Sequence, residues 1–352
     1  MRRWAWLPVA VVLALVGCAP TAPASGGGGP TIALLLPESK TSRYESIDRP
    51  VFEQVVGERC PDCTVLYANA AQDAAAQQAQ AESALTQGAA VLVLDAVDAS
   101  AARSIVTQAE SRGVSVIAYD RFIADAPVDY LVAYDASLVG ELQAEALVAA
   151  IGRHEPNQGI LVVNGAATDP NAIAQQEGAA RVLPASGVAV LASYDTPDWS
   201  PDKAQEWVQG QLTQYAGRVV GVLAANDGTA AGAIAALHGA GLNPVPPVTG
   251  QDAELAAVQR IVAGDQEMTV YKSISQQART AAELAVRLAR GEEPSSSVRV
   301  DGVPAVLLAP VAVTREDVAD VIVDGGVYTV EQICTAPYRQ ACEELGLLGG
   351  SG

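Results

Sequence analysis

The sequence predicts an α/β protein of two doubly wound parallel-sheet lobes, and three observations carry that expectation. From Thr31 onward, short apolar runs alternate with amphipathic, alanine-rich stretches, the pattern of strands covered by helices on both faces. The alternation then repeats: the run leading to Asp95 has a counterpart leading to Asp227, and the run leading to Asp120 has one leading to Asp252, each 132 residues later. Finally, 352 residues, half of them hydrophobic, suffice for two domains with buried cores.

Taken in order, the chain begins with Arg2 and Arg3, then thirteen uncharged residues from Trp4 to Val16. Such a run is too short to span a bilayer as a helix and fits the core of a signal peptide. It leads into Leu15-Val16-Gly17-Cys18, which is similar to the bacterial lipobox, where the cysteine is lipidated and becomes the first mature residue. The reading is a lipoprotein signal peptide over 1–17, lipidation at Cys18 and a flexible Pro-, Ala-, Ser- and Gly-rich tether over 18–30. The protein is therefore expected to be exported and lipid-anchored on the outer face of the cell membrane.

Strands are expected at Thr31–Leu36, Thr64–Tyr67, Ala90–Leu94, Val114–Ala118 and Tyr130–Ala133, then at Gly159–Val163, Val188–Ala192, Val219–Ala224, Val245–Thr249 and Met268–Tyr271. Helical periodicity fills the gaps at Asp73–Thr86, Ser100–Arg112, Ser137–Ile151, Ile173–Leu183, Lys203–Tyr215, Thr229–His238, Leu255–Ala263 and Gln276–Arg290. Asp95, Asp98 and Asp227 each precede a helical stretch and read as caps.

Export changes how the cysteines read. With Cys18 lipidated, Cys60, Cys63, Cys334 and Cys342 remain, an even number in an oxidising compartment. Local pairing, Cys60 with Cys63 and Cys334 with Cys342, is the simplest of three connectivities. The Cys60-Pro61-Asp62-Cys63 run follows a helical pattern and precedes a strand, the reverse of a thioredoxin-like arrangement. The spacing of eight in the other pair is not typical of zinc sites, so neither metal nor cofactor is expected.

Composition excludes further classes. Forty acidic residues against 21 basic ones give a formal charge of -19, which repels phosphate backbones and argues against a nucleic-acid partner. His154 and His238 are the only histidines. There is no Gly-x-Ser-x-Gly elbow, no Walker loop, no His-Glu-x-x-His helix and no calcium loop of EF-hand spacing, so no catalysis is implied.

What remains is the set of polar and aromatic residues just beyond the apolar runs. In doubly wound sheets ligands bind beyond the carboxyl ends of the strands. Arg43, Tyr44, Asp120, Arg121, Asn171, Trp199, Asn226, Asp252 and Lys272 fall there. Carboxylates accept from sugar hydroxyls, arginine, lysine and amides donate to them, and the C–H faces of a pyranose pack on flat rings. This is carbohydrate-binding chemistry.

These residues lie in recognisable motifs. Asn-Asp-Gly-Thr-Ala-Ala-Gly-Ala at 226–233, Gly250-Gln251-Asp252-Ala253 and Met268-Thr269-Val270-Tyr271-Lys272 resemble bacterial D-xylose-binding proteins. So do Ala118-Tyr119-Asp120-Arg121 and Val139-Gly140-Glu141-Leu142-Gln143-Ala144. Those are the sugar-binding proteins of ABC importers with the type I periplasmic fold, and the resemblance runs from about Thr31 to Gly326. It implies sugar contacts from Arg43, Asp120, Arg121, Asn171, Asn226, Asp252 and Lys272, with Trp199 and Tyr44 as ring platforms. Two departures stand out: Tyr44 replaces the tryptophan usual in that family, and Pro170 stands where asparagine is common.

The resulting expectation is two lobes joined by three hinge crossovers near Asp135, Ser273 and Leu307. The first lobe would hold 31–135 and 274–306, the second 136–273 and 307–326, with a disulfide-bearing extension over 327–352. A monomeric receptor would bind one monosaccharide, D-xylose favoured, and deliver it to an ABC permease and its ATPase. The alternative is a sugar sensor reporting to a kinase or chemoreceptor.

Overall fold

A computed structural model describes residues 28–349, so the lipobox and Cys18 lie outside the described residues. The first lobe opens with β1 (Thr31–Leu36), α1 (Arg49–Arg59), β2 (Thr64–Asn69), α2 (Ala74–Thr86), β3 (Ala89–Leu94), α3 (Ala99–Ser111), β4 (Ser115–Tyr119) and β5 (Tyr130–Tyr134). The chain crosses to the second lobe for α4 (Ala136–Ile151), β6 (Gly159–Asn164), α5 (Pro170–Ser186) and β7 (Ala189–Asp195). There follow α6 (Pro201–Gln214), β8 (Val219–Ala224), α7 (Asp227–Gly239), α8 (Leu255–Ala263) and β9 (Met268–Tyr271). It returns for α9 (Ile274–Ala289), β10 (Val298–Val300) and β11 (Val303–Leu308). A third crossing reaches β12 (Val311–Thr314), then α10 (Val330–Ile333) and α11 (Arg339–Glu344).

The first sheet has the order β10-β11-β5-β4-β3-β1-β2, parallel except for β10 against β11. In the second, β7-β6-β8 continues through the bridges Val222–Val248 and Gln251–Val270 to β9 and the antiparallel β12. The same winding thus occurs twice, the structural counterpart of the 132-residue sequence offset. One expected strand is absent: Val245–Thr249 contributes only the bridge Val222–Val248 rather than a ladder. Pro244, Pro246 and Pro247 surround its start, and proline has no N–H to give a ladder. Between β11, whose Leu307 pairs with Ala133 of β5, and β12 the chain passes through Ala309-Pro310.

Burial explains why the elements close. In the first lobe, Phe52, Val55 and Val56 of α1 and Ala281, Ala282 and Ala285 of α9 cover Ile32, Leu34, Val91 and Val93. Ala81, Ala84, Ile105 and Val106 of α2 and α3 cover Ala33, Leu35, Leu92 and Leu94 on the other face. Each fully buried Leu, Ile or Val contributes about 1.5–3 kcal/mol. The chain after β12 packs Val318, Ile322, Ile333 and Cys342 against Val258, Ile261 and Val262 of α8. Cys60 pairs with Cys63 and Cys334 with Cys342. Gly29 and Pro30, at the end of the tether, already hydrogen-bond to Asp62 and Thr64. Among the described residues, no helix is long and apolar enough to cross a membrane.

Candidate functional site

The two sheets point their carboxyl ends at one another across a narrow, largely filled cleft. Its walls contain all nine side chains singled out from the sequence: Arg43, Tyr44, Asp120 and Arg121 from the first lobe, and Asn171, Trp199, Asn226, Asp252 and Lys272 from the second. Thr41, Asp169 and Gln251 complete the lining. Asp169 and Gln251 follow apolar runs and were legible on that ground; Thr41 carries no comparable signal.

Local geometry explains the placement. Asp120 has φ 64° and Asp252 φ 93°, so both turn sharply off their strand ends in the left-handed region. Each is pinned by its own N–H, to Val132 O and Val270 O respectively, both at 2.9 Å. Trp199 also has positive φ, at 53°, and ends a one-turn segment begun by Pro197. Its indole lies over Gly165, where any Cβ would collide with the ring. Asn226 caps α7 through Thr229 in a reciprocal capping box. Gln143 of α4 donates to Ala224 O, Ala225 O and Gly250 O, tying adjacent strand ends together.

The first-lobe wall is tightly ordered. Arg43 donates twice to Asp48, each bond 2.9 Å, once to Gln277 at 2.9 Å and once to Asp120 at 3.3 Å. Tyr119 donates its hydroxyl to the same Asp48. Burial alone would raise the Asp120 carboxyl, but Arg43 and Lys272, with a hydrogen bond from Gln277, hold it below the ordinary range. Burial pushes the Tyr44 hydroxyl well up, so it stays neutral and able to donate. On the opposite wall Lys272 lies 3.0 Å from Asp252. Asn171 reaches across to Asp120 O at 3.3 Å, and Trp199 donates its indole N–H to Asp169 at 3.1 Å.

Two of the expected caps are something else. Asp98 caps α3, but Asp95 does not cap it; it is fully buried beside Arg121, its carbonyl held by Gln77. Asp227 occupies the first turn of α7 after the Asn226 cap, its carboxylate accepting from Gln266, Thr269 and the Glu254 N–H. Burial raises its carboxyl well above the usual value, with Glu254 adding to the effect. Arg121 is buried beside Asp95 and Asp169.

The arrangement can accept and donate hydrogen bonds around a small polyhydroxylated ring and pack its faces on aromatic planes. Among the described residues there is no cluster of three or more potential metal ligands. Residues 32–293 match the model of a periplasmic binding protein domain. The chain is 32% identical over 310 residues to a D-xylose-binding periplasmic protein of Escherichia coli, covering 86% of this chain and 92% of that one. It is 34% identical over 310 residues to a protein of the same description from Haemophilus influenzae, covering 86% and 91%. A solved ABC transporter solute-binding protein of Clostridium phytofermentans, with bound β-D-glucose, superposes with a TM-score of 0.77 at 25% identity, covering 86% and 99%.

Proposed function

The chain belongs to the periplasmic binding protein family, and on that premise we propose that it is the substrate-binding lipoprotein of a sugar ABC importer, carrying one aldose, D-xylose before others, between its lobes. It is not an enzyme. The observation that carries the reading is the lining of the cleft: two sets of strand ends converge on it with carboxylates, amides, cations and two rings. Hydroxyls that both donate and accept satisfy such a wall on every side.

In the mechanism, the open form admits the sugar, and closure brings Asn171, Trp199, Asn226, Asp252 and Lys272 onto a ring already held by Arg43, Asp120 and Arg121. Ligand energy selects the closed form, whose composite surface docks on the permease and its ATPase. D-xylose leads because both relatives named above carry that sugar in their description; a bound glucose in the solved neighbour keeps D-glucose in contention. Lipid at Cys18 keeps the receptor at the membrane, and Cys18→Ala is expected to release it into the medium or periplasm.

The test is calorimetric titration of D-xylose, D-glucose, D-ribose and L-arabinose into the mature chain, read in parallel by fluorescence of Trp199 and Trp207. Saturable binding of one aldose is expected, with Asp252→Ala weakening it by roughly 10–100-fold through loss of a charge-assisted hydrogen bond. Unchanged affinity in folded Asp252→Ala would remove this cleft as the sugar site.

A further inference from the structure

Among the described residues, Arg121 is the one cation within ion-pair distance of carboxylates of both lobes. Its Nε lies 2.8 Å from Asp169 Oδ2 on the second lobe and 3.2 Å from Asp95 Oδ1 on the first. Its Nη1 donates to Ala96 O at 2.8 Å, which keeps the stem in the first lobe. All three side chains are buried. Asp169 Oδ2 accepts from the Trp199 indole and lies against Arg121 Nε, while its Oδ1 caps α5 through the Asn171 N–H. Asp95 is left worse off: neither of its oxygens accepts a hydrogen bond from the described residues, although the carboxyl has no access to solvent. A buried carboxylate in that condition is unfavourable unless its cation returns to it or it takes up a proton. Arg121 Nε lies nearer the Asp169 oxygen than the Asp95 oxygen and donates a hydrogen bond to neither.

We propose that Arg121 is a relay, held by Asp95 while the lobes are open and drawn to Asp169 as they close, so that the two carboxylates bias the closing equilibrium in opposite directions. Asp95 and Asp169 are positioning residues in this scheme. Asp169 rewards closure and ties it to the seating of the Trp199 ring; Asp95 opposes closure and returns the empty receptor to its open form. The proposal rests on the reading that the lobes open and close around a ligand.

Two isosteric substitutions test it in the mature chain. Asp169→Asn removes the distant charge, so D-xylose should dissociate about tenfold faster or more, the size of one charge-assisted bond. Asp95→Asn removes the pull toward the open form, so dissociation should slow and affinity rise several-fold. A merely structural role would weaken binding in both, and that common direction would overturn the relay. Small-angle scattering without sugar reads the same equilibrium: Asp95→Asn should shrink the ligand-free particle and Asp169→Asn should not. That measurement stands even if the wild type binds no aldose, in which case the sugar assignment falls and the relay is judged alone. Should Asp95→Asn fail to fold, unchanged sugar release in folded Asp169→Asn, or unchanged ligand-free scattering if no aldose binds, overturns the proposal.

Discussion

Asp120, Asp252 and Trp199 hold backbone conformations that L-residues with side chains seldom adopt, at a cost of about 1–3 kcal/mol each. The strain persists because neighbours over-determine it: strand hydrogen bonds pin the two aspartates, and Gly165 makes room for the indole. The duplicated positions of Asp120 and Asp252 share the same left-handed turn, so one solution for aiming a carboxylate off a strand end is used twice. Gly165 offers a clean test. In Gly165→Ala the methyl group would meet the Trp199 ring, which lines the cleft. Overpacking of this kind costs about 1–3 kcal/mol. Sugar affinity measured by calorimetry should therefore fall about tenfold or more while the far-ultraviolet dichroism stays unchanged. Unaltered affinity would mean that the indole does not shape the site.

At the level of elements, much of the architecture could be read from sequence. The ten apolar runs were strong signals because parallel strands buried on both faces need continuous Val, Ile, Leu and Ala; nine of them are strands. Val245–Thr249 looked the same by hydropathy, but its prolines withhold ladder donors. The strands β10 and β12 are short, and β10 to β12 carry charge or exposed apolar side chains that blur the strand pattern. The nine residues that line the cleft were legible because they fall in the polar segments that follow apolar runs. Asp95 and Asp227 were misread because a carboxylate before a helix looks the same whether it bonds to helix N–H groups or turns inward. The segment after β12 has its own consequence. Its disulfide closes a short loop that presses Ile333 and Cys342 onto α8, the helix that follows Asp252 and Glu254. Replacing both Cys334 and Cys342 by alanine should lower unfolding free energy by about 2–3 kcal/mol in denaturant titration. A loss under about 0.5 kcal/mol would show that packing on α8 alone holds the segment.

Across the whole molecule, closing two acidic lobes on each other gathers carboxyls away from water, and stability should respond to pH accordingly. Burial raises Asp95, Asp169, Asp227 and Glu254 above their ordinary values of 3.8 for Asp and 4.5 for Glu, with neighbouring acids adding to the shift. A carboxyl raised in the folded state binds its proton more tightly there than in the unfolded chain. Its contribution is therefore complete in acid and declines as pH climbs from the ordinary value through the raised one. Asp120 works the other way: its lowered value means that its contribution is in place above the ordinary range and disappears only in stronger acid. Among the described residues, seven carboxyls are raised, these four with Glu38, Asp129 and Glu267, against three lowered, Asp120, Asp198 and Glu331. In a chain of formal charge -19 whose self-repulsion grows with pH, that sets the balance. The melting temperature should be higher at pH 5.5 than at pH 8, each kcal/mol being worth about 2–4 °C in a protein of this size or somewhat smaller. Asp227→Asn bears on the same point, because it removes a buried charge but turns an amide toward the fixed Glu254 N–H. It should flatten the slope between those pH values even where it lowers stability overall. A melting profile that is level or rising from pH 5.5 to 8 in the wild type would show that the donors around these carboxyls outweigh their burial, and that the closed lobes carry them ionised.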